Sequence, residues 1–233
     1  MTNQENTVRK ERLEMKLIFK SIFLVVLIVA ITFIIAGRID YWQGWIYNGL
    51  LIIFLLPSYF LLPRELIEER LKPKKGMKKW DKIYFIISTP VYFAILIISI
   101  LDGGRFGWEP RIPILVVIIG VVVFTIGQII FLWAKRVNKF FSTVVRIQKD
   151  RGQTVCKDGP YRFVRHPGYL GALLYLIVTP FVLSSFWGLI PTLIVVVLLF
   201  IRTYLEDKTL QRELEGYTDY TNEVRYRLLP GIW

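Results

Sequence analysis

The chain has 233 residues, 54% of them hydrophobic, and carries 30 Lys and Arg against 18 Asp and Glu, a formal net charge of +12. One Cys and one His exclude an internal disulfide framework and leave too few ligands for a His/Cys metal centre. The apolar residues gather into long runs with the basic residues between them, so the charge is read as orientation in a bilayer and not as nucleic-acid binding.

The polar start, Met1 to Lys20, has no small-residue cleavage site after the first apolar run, which is therefore read as a retained span. A helix crosses the hydrocarbon core with ~20 apolar residues. Leu17–Ala36, Trp42–Leu62, Ile83–Leu101 and Ile112–Ala134 meet that length. Trp42, Trp45 and Trp108 fall at span boundaries, where an aromatic belt sits. A fifth apolar region, Tyr169–Leu205, is broken by Ser184, Ser185, Gly188 and Pro191. It is expected to fold as a tight hairpin whose arms are each barely long enough to cross. The predicted class is an all-α polytopic membrane protein: four full transmembrane helices, a C-terminal helical hairpin and a cytoplasmic amphipathic tail. The chain divides into a four-helix region, 1–134, and a C-terminal region, 135–233.

All Lys and Arg residues except Arg38, Arg105 and Arg111 fall in alternate connecting segments if the hairpin returns to its own side. The positive-inside rule then places both termini and the second and fourth connections in the cytoplasm. The loop Pro63–Lys82 holds the Lys-rich tract Lys72–Lys79. It reads as an orientation determinant, with binding of anionic membrane lipids as the alternative.

Two polar clusters stand out against this background, and polar groups at a membrane face point to function. The first is Asp158–Gly171. Gly159-Pro160 marks a turn, and Pro167 suits the first turn of a helix with His166 as its cap. The free N–H groups of that helix end can hold a carboxylate. Gly168 and Gly171 permit close approach of a backbone or a ligand, while Tyr161, Tyr169, Arg162 and Arg165 add hydroxyls and charge. The second cluster is Arg202–Asp207, continuing to Trp233. Arg202 and Glu206 share a helix face that continues to Glu213, and Glu206 is the expected partner of Arg202. Structurally the cluster reads as an ion pair at a helix end. Functionally it reads as a site for a zwitterionic or sulfonium ligand.

The stretch Gly159–Tyr169 resembles the Arg-His-Pro-x-Tyr signature of the isoprenylcysteine carboxyl methyltransferases, which the phospholipid N-methyltransferases share more loosely. Arg202, Glu206, Asp207, Leu210, Gly216, Tyr217, Tyr220 and the ending Arg227–Trp233 resemble that family's acidic pair and tail. The resemblance runs from Asn138 to the C-terminus. It implies an S-adenosylmethionine-dependent methyltransferase acting on a lipophilic acceptor, most like a prenylcysteine-type carboxylate, that enters from the bilayer. By the same resemblance the cofactor contacts are Gln153, Thr154, Val155, Cys156, Tyr161, His166, Pro167, Gly168, Tyr169 and Glu206, and Arg202 faces the methyl acceptor. Arg146 stands where the family usually has Gln, and Asp207 where it has Glu. His166 or Glu206 would take a proton from an amine or thiol acceptor.

Rival readings are a phospholipid N-methyltransferase, an NADPH-dependent sterol-type reductase and a non-enzymatic transporter or scaffold. The reductase signature resembles Arg-His-Pro-Asn-Tyr, but here Gly168 replaces the Asn and Ala172 follows Gly171. Transporters place charge at the bilayer midplane, whereas Thr125 and Gln128 are the main polar residues within the first four spans.

Overall fold

The computed structural model describes residues 22–61, 76–108 and 110–233, with the isolated Phe19. The start of the first span and most of the Pro63–Lys82 loop lie outside the described residues. The described chain is all-helical. Its helices are α1 (Ile22–Ala36), α2 (Trp42–Leu61), α3 (Lys79–Ile100), α4 (Ile114–Val137), α5 (Pro167–Val182), α6 (Leu189–Glu213) and α7 (Tyr217–Glu223). A π-helical turn, Leu101–Phe106, prolongs α3.

The expected all-helical architecture is found among the described residues. Among the described residues, three helices are long and apolar enough to cross a bilayer: Lys79–Phe106, Ile114–Val137 and Leu189–Glu213. The apolar parts described for the first two helices, Ile22–Ala36 and Trp42–Leu55, are shorter than a crossing. The hairpin is unequal, with 16 residues in α5 and 25 in α6. The second arm runs past Arg202, which is buried and paired, to Glu213.

The outside of the bundle is apolar. Ile118, Ile119, Val122 and Ile129 of α4 are each 53% exposed. Such a continuous apolar exterior is stable against lipid, where internal backbone hydrogen bonds are what a span requires. Inside, α4 packs against α5 and α3 against α6, so helices from both halves of the sequence interleave. Gly127 and Gly171 face each other across the α4–α5 contact, where an added Cβ at Gly171 would lie 2.5 Å from the Gly127 carbonyl oxygen. One apolar core joins Ile95, Leu173, Leu176, Val195 and Leu199 with Leu228 of the tail.

The hairpin tip, Leu183–Gly188, meets the π-helical turn. The Ser185 hydroxyl donates to buried Asp102 at 2.6 Å, and the Tyr41 hydroxyl donates to the Leu183 carbonyl at 2.6 Å. The starts of α3 and α5 and the ends of α4 and α6 therefore gather at the opposite end of the bundle. The polar loop 138–166 and the tail close that end.

Candidate functional site

The loop after α4 is shaped by its own polar side chains. Buried Gln148 donates from Nε2 to the Phe140 carbonyl at 2.7 Å and accepts from Arg151 at 2.6 Å. Its backbone N–H donates to Gln153 Oε1 at 2.7 Å. A 3₁₀ turn, Lys149–Arg151, ends at Gly152 with φ +59°, a conformation glycine adopts without steric cost. The chain then runs through Gln153, Thr154, Val155 and Cys156 to a second 3₁₀ turn, Gly159–Arg162. Asn138 donates to the Tyr161 hydroxyl at 3.0 Å, and Tyr220 donates to the Tyr161 carbonyl at 2.6 Å. These bonds tie the turn to α4 on one side and α7 on the other.

α5 begins at Pro167 with His166 as its N-cap, as the sequence indicates, although the imidazole makes no capping bond. It turns instead to Asp207, whose Oδ1 lies 3.2 Å from His166 Nε2. Asp207 is a hub. It accepts from Arg165 Nε at 2.8 Å, Tyr217 at 3.0 Å, Gln211 at 2.7 Å and Arg227 Nε at 2.8 Å. Burial pushes the Tyr217 hydroxyl well above the ordinary phenol range, and the Asp207 charge adds to it, so this hydroxyl is a fixed donor. The backbone N–H groups of Arg165 and His166 each donate to the tail at 2.9 Å, to the carbonyls of Tyr226 and Arg227.

Around these elements a pocket opens at the end of the bundle. Of the expected cofactor contacts, Gln153, Thr154, Val155, Cys156, Tyr161, His166, Gly168, Tyr169 and Glu206 all line it. Pro167 does not line it; it starts α5. Arg202 does not line it either. Its expected partner, Glu206, accepts instead from the Tyr169 hydroxyl. Arg202 pairs with Asp81 of α3 at 2.9 Å, donates to the Thr143 carbonyl at 2.8 Å, and lies over the rings of Tyr84, Phe85 and Tyr169. The i,i+4 rule names a local partner, but the Asp81 carboxylate, fully buried, is the one in reach. Glu213 pairs with Lys78 at 2.6 Å. Arg146 lines the pocket and pairs with Asp150 at 3.0 Å.

Sequence reasoning missed Phe140, Phe141, Gln148 and Leu214, which add apolar and amide surface to the pocket. Nothing local marks them, since their role depends on how the loop folds over the bundle. It missed Asp81 as well, where an acid two residues before the predicted span start was the available signal. Gly168 is required by close packing: a Cβ there would lie 2.7 Å from the Phe141 ring.

Cys156 is half-buried in the wall, and burial raises its thiol above the ordinary value, outweighing the backbone hydrogen bond that lowers it. The thiolate, which is the reactive form, therefore appears only at higher pH than for a free cysteine. Maleimide labelling near neutral pH should be slower than for an exposed thiol, and a pocket ligand should slow it further. Labelling as fast as free cysteine at pH 7, with no ligand protection, would remove Cys156 from the wall.

An apolar-walled helical bundle with a mixed polar pocket at one end defines a membrane protein with a polar cavity at the end of its helices. Residues 116–212 match the model of the isoprenylcysteine carboxyl methyltransferase (ICMT) family, a stretch that takes in nearly all of α4, the loop after it, α5 and nearly all of α6. The match begins earlier than the sequence resemblance and stops before α7 and the tail. No curated protein matches the chain.

Proposed function

We propose that the chain binds S-adenosylmethionine in this pocket and transfers its methyl group to a lipophilic acceptor that arrives from the bilayer. The observation that carries this reading is the convergence of residues from the loop, the α5 start and α6 on one pocket. The pocket's residues suit the ligand. Glu206 offers a carboxylate to a cationic group, and the first turn of α5 at Gly168 and Tyr169 offers the positive end of a helix to a carboxylate. Phe140, Phe141, Val155 and Leu210 offer apolar and aromatic surface to a flat base. When bound, the cofactor supplies a sulfonium methyl that needs little further activation, so orientation accounts for most of what the protein must add.

The chain's part is therefore to bind and align. The Tyr169 hydroxyl orients Glu206, and the Asp207 hub holds His166 and Tyr217. Arg202 retains both N–H groups of Nη1 without a hydrogen bond among the described residues, donors for an acceptor oxygen. A prenylcysteine-type carboxylate, deprotonated at neutral pH, is the acceptor this favours. The pocket end, with the basic segments around it, faces the cytoplasm, where the cofactor is made.

S-adenosylhomocysteine at about 100 times its dissociation constant should stabilise the purified protein by about 2.7 kcal/mol, a rise in melting temperature of about 5–10 °C. Glu206→Ala should weaken binding at least about tenfold, the loss of a charge-assisted contact. Labelled methyl should pass from S-adenosylmethionine to N-acetyl-S-farnesylcysteine in detergent. Stabilisation by NADPH with none by S-adenosylhomocysteine would refute the assignment.

A further inference from the structure

Asp81 has no place in the family region matched above, which begins at residue 116. It lies near the start of α3 and is fully buried, yet both its carboxylate oxygens are used. Oδ1 accepts from Arg202 Nε at 2.9 Å and Oδ2 from the Val145 N–H at 2.7 Å. Val145 is a wall of the pocket, and so is Tyr169, whose ring centroid lies 5.4 Å from the Arg202 guanidinium carbon. The guanidinium thus sits one side chain behind the wall, in a setting shielded from water by three aromatic rings.

An unbalanced cation in that position would act on any charge in the pocket. In a partly buried site, one unit charge within about 10 Å changes the binding of another by about tenfold. The two cofactor forms differ by one such charge: S-adenosylmethionine carries a sulfonium cation, and S-adenosylhomocysteine has a neutral thioether there. We propose that Asp81 is a positioning and charge-balancing residue, cancelling the Arg202 cation so that the pocket accepts the sulfonium form. This rests on the cofactor reading above and extends it to a residue outside the matched region. Arg202 is thereby kept as an oriented donor for the acceptor without repelling the methyl donor. Glu206, the other acid beside Tyr169, also lies in the field of Arg202, so Arg202, Asp81 and Glu206 together leave one net negative charge beside the pocket.

The test is the ratio of the dissociation constants of S-adenosylmethionine and S-adenosylhomocysteine, measured by titration calorimetry on the full chain in detergent. Asp81→Asn should raise this ratio about tenfold, weakening the sulfonium form selectively. Arg202→Gln should lower it, and the double variant should return to within about threefold of wild type, because removing both charges restores the balance. Equal weakening of both ligands by Asp81→Asn would show a purely structural role and overturn the proposal. If Asp81→Asn does not yield folded protein, Arg202→Gln against the double variant carries the same test, and an unchanged ratio between them overturns it. Wild-type protein that binds neither ligand would overturn the cofactor reading itself. Binding of both with a ratio indifferent to these substitutions would overturn the role of Asp81 alone.

Discussion

Asp207→Ala is expected to lower the melting temperature by about 10 °C and to abolish ligand stabilisation. The carboxylate is 1% exposed, and Arg165, His166, Gln211, Tyr217 and Arg227 all reach it. Removing it strands the Arg165 guanidinium, whose side chain is 5% exposed. Breaking a buried pair from one side costs about 3–5 kcal/mol because the remaining charge stays desolvated. For a chain of this size each kcal/mol moves the melting point by about 2–4 °C. The functional loss follows from geometry, since Arg165, His166 and Tyr217 are pocket walls. Asp207→Asn keeps the shape and some acceptor capacity and should fall between the two. A variant that melts within about 2 °C of wild type would show that the hub carries little of the fold.

The second large effect is expected at the α4–α5 contact. A Cβ at Gly171 would lie 2.5 Å from the Gly127 carbonyl oxygen and 2.7 Å from the Phe131 backbone nitrogen, and both are backbone atoms that cannot rotate away. Gly171→Val must therefore part the helices, at a cost of about 3 kcal/mol. Small residues at such a crossing let two membrane helices approach closely and pack by dispersion. The displacement would reach the pocket through Phe131, whose ring meets Phe141 edge-on at 5.6 Å, and Phe141 is a pocket wall. Thermal melts with and without S-adenosylhomocysteine check both parts. Gly49→Ala in α2, where an added Cβ meets nothing within 4 Å, is the control. It should be neutral or slightly stabilising, since Ala is the better helix former by about 1 kcal/mol. Equal behaviour of the two variants would contradict the close approach.

Several features of the site were legible along the chain. Pro167 lacks an N–H and has a helical φ, so it marks the start of α5 and makes His166 the cap without knowledge of any other residue. The separate segments Gln153–Cys156, Gly159–Tyr169 and Glu206 were grouped by resemblance, and the fold brings them onto one pocket. Arg202 shows where local reading stops. The i,i+4 spacing offers Glu206, while the partner in the structure is Asp81, 121 residues away. Spacing on one helix is set by the backbone period, whereas the choice between two acids depends on which neighbouring helix lies against that face.

The opening composition determined the class of environment by itself. Run length and the placement of basic residues are properties of consecutive residues, and the bilayer reads them segment by segment. It could not determine which runs become full crossings, or that Asp81 is the acid that pairs with Arg202 within the bundle. Nor could it show the Asp207 hub or the tail's return to Arg165 and His166. Those depend on burial, because a charge is held out of water only where several distant donors arrive together, and only the packed chain brings them there.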